Sequence, residues 1–96
     1  MFNYTATPPK AHLINLISSG AIVIDVRSPR KFKEYSLHDS FNFPFSTLGH
    51  NWKILKSFDR PIILVCEDGE LCIKAKKTLE NHGIDVHIGG PWREFV

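Results

Sequence analysis

Two runs of the chain are apolar almost without interruption: AIVIDV at residues 21–26, broken only by Asp25, and PIILV at residues 61–65. Continuous aliphatic and β-branched runs of this length suit strands covered on both faces. Two further stretches alternate apolar and polar residues, FNFPF at residues 41–45 and IDVHI at residues 84–88, and they predict strands as well. The first meets Pro44, and the second is closed by Gly89, Gly90 and Pro91. Between these runs the apolar spacing changes to that of a helix face. Leu13, Ile14, Leu16 and Ile17 predict a helix over residues 10–19, ended by a left-handed Gly20. Ser28 and Pro29 open a short helix over residues 30–35, proline being suited to a first helical turn. Trp52, Leu55 and Phe58 mark a third over residues 48–58. Leu71, Ala75 and Leu79 mark the inward face of a fourth over residues 70–81, which His82 and Gly83 stop. Pro8 and Pro9 punctuate the segment before the first helix.

Strands that alternate with helices in this way build an α/β sandwich around a mostly parallel sheet. No repeat, linker or low-complexity segment divides the chain. Residues 1–96 are therefore read as one domain of ordinary size.

Composition narrows the class. Hydrophobic residues at 43% and charged residues at 23% are ordinary for a soluble globular protein. The net charge of +2 is small. The densest basic runs, residues 27–33 and 74–77, are of the kind that form solvated faces, so no nucleic-acid partner is expected. No apolar stretch approaches the ~20 residues that span a bilayer. Residues 1–12 lack the basic-then-apolar order of a signal peptide. No membrane partner is expected, and a cytoplasmic location follows. In that compartment the 2 cysteines are expected as reduced thiols. A metal site is not expected, because the 5 histidines show no ligand-like pairing with either cysteine. Nor is Cys-x5-Cys a zinc-knuckle spacing.

In open parallel sheets, ligands bind beyond the carboxyl ends of the strands. Asp25, Val26 and Arg27 fall there after the first apolar run, and Cys66 falls there after PIILV. A loop that passes from strand to helix aims successive backbone N–H groups at one point. With the helix N-terminus it makes an anion cradle. A cysteine at the centre of a cradle has its thiolate stabilised, and Gly69 gives the loop the conformational freedom that a tight cradle demands. Asp25, late in an apolar strand, needs a partner if it is buried. Arg27 or neighbouring amides can supply it, and both residues are read as supports beneath the cradle.

Four segments in register resemble the rhodanese (sulfurtransferase) domain family: AIVIDVRSPRKF, FNFP, DRPIILVCEDG and GIDVHIGGPW. The matching features are Asp25-Val26-Arg27, Asn42-Phe43-Pro44, Cys66 with Gly69, and Gly89-Gly90-Pro91-Trp92. The resemblance implies a three-layer α/β/α fold with a mostly parallel five-stranded sheet. It also implies transfer of sulfane sulfur through a persulfide on Cys66. The backbone amides of Glu67, Asp68, Gly69, Glu70, Leu71 and Cys72 would hold the outer sulfur. No cofactor is implied. The implied partners are a sulfur donor (a persulfide or thiosulfate) and a thiol or protein acceptor, with the chain a monomer or weak dimer.

Two departures from the family pattern bear on structure and chemistry. The family's Gly-His-Ile-Pro-Gly-Ala stretch is replaced by Tyr35-Ser36-Leu37-His38-Asp39-Ser40, so both glycines are gone and the turn must differ or be strained. In the cradle, the arginine of many relatives is Leu71 and the serine is Cys72, with Glu67, Asp68 and Glu70 around them. Unit charges ~8 Å apart interact by roughly 0.5 kcal/mol in water and about 2 kcal/mol at an effective dielectric of 20. Three carboxylates therefore oppose thiolate formation while the amides favour it. A dianion such as thiosulfate is repelled in proportion to its charge, so weak use of thiosulfate and a preference for a persulfide donor are expected. A phosphatase of related fold needs arginine six residues after the cysteine, and here that residue is Cys72.

Cys72 is either a small apolar filler or a resolving thiol for Cys66. Trp92 is read as a packing residue, the alternative being that its aromatic face near the sheet edge helps shape an acceptor site. The competing functional class is a non-enzymatic rhodanese-like module, catalytically weak, that recognises a basic partner protein through its acidic rim.

Overall fold

The computed structural model describes residues 11–95. Pro8, Pro9 and the predicted helix start at Lys10 lie outside them. The described chain runs α1 (Ala11–Ser18), β1 (Ile22–Asp25), α2 (Pro29–Glu34), β2 (Phe41–Asn42), α3 (Leu48–Ser57), β3 (Ile62–Cys66), α4 (Glu70–Glu80) and β4 (Val86–Pro91). A 3-10 turn over Phe45–Thr47 leads into α3, and another over Trp92–Phe95 follows β4. All strand pairings are parallel, in the order β2-β1-β3-β4. The fifth strand implied by the family resemblance has no counterpart among the described residues.

The period of two along each strand sorts side chains to opposite faces. Ile24, Val26, Ile62, Leu64 and Cys66 point to one face, where Leu48 and Leu55 of α3 and Cys72, Ala75 and Leu79 of α4 cover them. Val23, Ile63 and Val65 point to the other, under Leu13 and Ile17 of α1 and Trp92 and Phe95 after β4. The three layers are thus helix, sheet and helix. The inward face of α4 is centred on Cys72, Ala75 and Leu79, and Leu71, expected to face inward, is only half-buried.

One expected end is displaced, and the turn without its glycines is accommodated, each for a physical reason. Gly89, Gly90 and Pro91 do not close the last strand but belong to it, since β4 runs to Pro91. The register steps from Leu64↔Ile88 to Val65↔Gly90, which leaves Gly89 as the extra residue of a bulge. A Cβ at Gly89 would lie 2.9 Å from the Leu64 carbonyl oxygen and 3.0 Å from Val65 Cγ1. Asp39, at the second lost glycine of the 35–40 stretch, is held at φ 62°, a left-handed conformation that aspartate tolerates better than most residues. Tyr35, at the first, is extended at φ −166° and needs no glycine.

Candidate functional site

Because β2 lies on one side of β1 and β3 on the other, the chain reverses its direction of travel across the sheet between β1 and β3. The crevice at the carboxyl ends of those strands is where an open α/β sheet binds ligands. Cys66 is the last residue of β3, with Asp25 of β1 paired in register with Val65. The sheet therefore brings Cys66, Asp25 and Arg27 together, as the sequence predicts.

Asp25 and Arg27 are both buried. The Arg27 Nε donates to both Asp25 oxygens at 3.0–3.1 Å, and Nη2 donates to Oδ2 at 2.8 Å. The Arg27 backbone N–H adds a bond to Oδ1 at 2.9 Å. Nη2 also donates to the Tyr35 carbonyl at 2.6 Å. The Asn42 amide donates to the carbonyls of Asp25 and Arg27 at 3.0 and 2.9 Å, which is the structural use of the Asn-x-Pro segment. The buried charge is thus paired and its backbone pinned from the neighbouring strand.

Above this base, the Cys66 sulfur accepts the Gly69 N–H at 2.9 Å. Gly69 adopts φ +94°, the left-handed conformation that turns the loop back over the sulfur before α4 begins. The Cys72 thiol, in the first turn of α4, donates to the Cys66 sulfur at 2.9 Å. Its own sulfur lies 3.4 Å from the Leu64 carbonyl oxygen. These contacts hold the Cys66 thiol well below its ordinary value, at about 6: the Cys72 side chain is the largest cause, burial opposes it, and the amides of Cys72, Gly69 and Asp68 add to it. The same proton is held on Cys72, whose thiol is pushed up by the bond to Cys66 and then by burial.

The expected cradle is partly realised. The Glu70 amide turns instead to the Asp68 carboxylate at 2.9 Å. The acidic rim is also less negative than its sequence. Glu67 pairs with Arg93 and lies 3.5 Å from Arg27. The Arg93 guanidinium chiefly holds its carboxyl below the usual carboxylate range. Asp68 and Glu70 remain exposed. The guanidinium carbons of Arg27 and Arg93 each lie 4.7 Å from the centre of the Trp92 ring, within cation–π range. Trp92 is buried, and its ring centre is 5.0 Å from that of Tyr35. Arg93 escaped the sequence reading because no motif marks it, and only its place one residue past Trp92 hints at it.

Both sulfurs are fully buried. A hollow of about 350 Å³ lies by Pro61 and Ile84, at the amino ends of β3 and β4, away from the thiols. Among the described residues no group of His, Cys, Asp and Glu is arranged to hold a metal ion, and no helix is long and apolar enough to cross a membrane.

A fold of this topology with a thiol cradled after its central strand defines the class, and comparison gives the family. The family model described as Rhodanese-like domain matches residues 10–90, and the chain belongs to that family. A rhodanese-related protein from Thermoplasma volcanium is 30% identical, with a TM-score of 0.74 over 85% of this chain and 81% of that one. A rhodanese homologue from Thermus thermophilus is 27% identical, with a TM-score of 0.61 over 92% of this chain and 96% of that one. A single-domain sulfurtransferase from Saccharomyces cerevisiae shares the fold at 20% identity, with a TM-score of 0.67 over 88% and 83%. No curated protein sequence matches the chain.

Proposed function

We propose that this protein accepts a sulfane sulfur on Cys66 as a persulfide and passes it to a nucleophilic acceptor. The observation that carries the reading is the Cys66 thiol held at about 6 by donors converging on its sulfur. At neutral pH such a thiol is mostly thiolate, the nucleophilic form. The Cys66 thiolate attacks the sulfane sulfur of the donor, and the donor's remaining fragment leaves with the bond's electron pair. The new outer sulfur carries the charge, and amide hydrogens near Gly69 stabilise it by fixed dipoles. No metal or organic cofactor enters these steps.

Donor preference follows from Glu67. Its carboxylate occupies the cations that would otherwise attract an anionic donor, Arg93 and the outer edge of Arg27. Thiosulfate is therefore a weak substrate and a less anionic persulfide a better one. Because Cys66 is buried, a donor enters only when the loop over the sulfur parts.

That burial also favours a second reading, a rhodanese-like module that recognises a partner protein without chemistry. Exposed Asp68 and Glu70, beside the site, give it an acidic rim for a basic partner. Incubation with several sulfane donors, read by intact mass, separates the two. An adduct of about 32 Da lost in Cys66→Ala, or sulfide released in a Cys66-dependent way, supports the sulfur acceptor. Neither signal with any donor supports the binding module.

A further inference from the structure

Cys72 is a second thiol inside the site, and sulfur transfer as described uses it only as a hydrogen-bond donor to Cys66. It is fully buried, and its sulfur lies 2.9 Å from that of Cys66. Closing that separation to a disulfide's ~2.05 Å takes less than about 1 Å of movement. The contact is to Cys66 Sγ itself, the atom that becomes the inner sulfur of a persulfide.

From this juxtaposition we infer a further activity, resting on the reading of Cys66 as sulfane acceptor: Cys72 attacks the inner sulfur of the Cys66 persulfide and releases the sulfane as sulfide. A bond forms between the Cys72 and Cys66 sulfurs. The bond from Cys66 to the outer sulfur breaks, and its electron pair leaves on the outer sulfur, which takes the Cys72 proton and departs as hydrosulfide. Each cysteine sulfur is oxidised by one electron, and the sulfane sulfur is reduced by two. An external dithiol then reduces the Cys66–Cys72 disulfide, itself becoming a disulfide, and the site is ready again. The protein is thus a dithiol-dependent sulfane reductase as well as a sulfur acceptor.

Two physical features favour the internal route. In the resting site the Cys66 thiolate keeps the proton on Cys72; once Cys66 carries sulfur, the charge sits on the outer atom and that restraint is relieved. Well-oriented internal groups reach effective concentrations of roughly 10⁵ M and above, far beyond any external thiol.

The test is a reaction with an alkanethiosulfonate in the absence of thiols, its sulfinate leaving group being unable to reduce a disulfide, with sulfide trapped as it forms. The expected result is one equivalent of sulfide per chain, then arrest, with the protein about 2 Da lighter. Dithiothreitol restores turnover. Cys72→Ser and Cys72→Ala release no sulfide and gain about 32 Da instead. A parent chain that keeps the added sulfur without releasing sulfide, on Cys66 or moved to Cys72, overturns the inference and leaves the sulfur acceptor standing. If neither the parent nor the Cys72 variants take up or release sulfur, both readings fall.

Discussion

Ionising Cys66 costs less than ionising an ordinary thiol because the charge lands where donors already point. The Cys72 thiol and the Gly69 N–H, each 2.9 Å from the sulfur, favour the thiolate more than burial disfavours it. The rate of Cys66 alkylation should therefore rise with pH through about 6 and level off above it. Below that pH the sulfur is protonated and the rate falls. Cys72→Ala removes the largest cause and should move the midpoint up toward the ordinary ~8.5, whereas Cys72→Ser keeps a donor and should move it less. A parent midpoint at the ordinary thiol value would contradict the geometry. The second residue-scale prediction concerns Glu67. Glu67→Gln takes a negative charge off the rim and frees Arg93, so kcat/KM for thiosulfate should rise about five- to tenfold at low ionic strength and less at high salt. No gain at low salt would mean that access, not charge, limits the donor.

At the scale of elements, β3 and β4 meet through a bulge whose odd residue must be glycine. Gly89→Ala would force a methyl group against the Leu64 carbonyl and the side chains of Ile63 and Val65, all at 2.9–3.1 Å. These neighbours lie in the central strand and have little room to yield. A loss of about 1–3 kcal/mol is expected in denaturant unfolding. The strain should also reach the site, because Gly90 and Pro91 sit against Gly69. An unchanged unfolding midpoint would mean that the bulge relaxes freely.

Across the whole molecule, Arg27 links parts of the chain that no single element joins. It binds Asp25 at the end of β1, the Tyr35 carbonyl after α2, Glu67 after β3 and the Trp92 ring after β4. Asp25→Ala would leave that guanidinium buried with its main anion gone. Breaking a buried pair on one side costs about 3–5 kcal/mol, set against the 5–15 kcal/mol of a typical domain. A large drop in thermal and denaturant midpoints is expected. A loss below about 1 kcal/mol would show that Glu67 and solvent replace Asp25 without difficulty.

The architecture was legible because burial writes itself into short-range pattern. AIVIDV and PIILV are short, β-branched and bounded by turn residues, which suits covered strands, and the helices between them suit parallel crossovers. Cys66 and Gly69 were legible for a related reason, since their position after PIILV fixes them at a strand end whatever the rest of the chain does. The boundaries that failed are those set by neighbours. Gly89 reads as a turn until β3 is beside it, and Leu71 reads as core until the helix is rotated to bury Cys72. The charge of the rim failed likewise, because Glu67 meets Arg93 only once the ends of β3 and β4 lie side by side. Sequence determined the layers, the order of the elements and the thiol at the crevice, all of which depend on local periodicity. Tertiary structure decided which proton, cation and sulfur face that thiol, because those contacts join residues distant along the chain or turned toward each other only by the loop's left-handed bend.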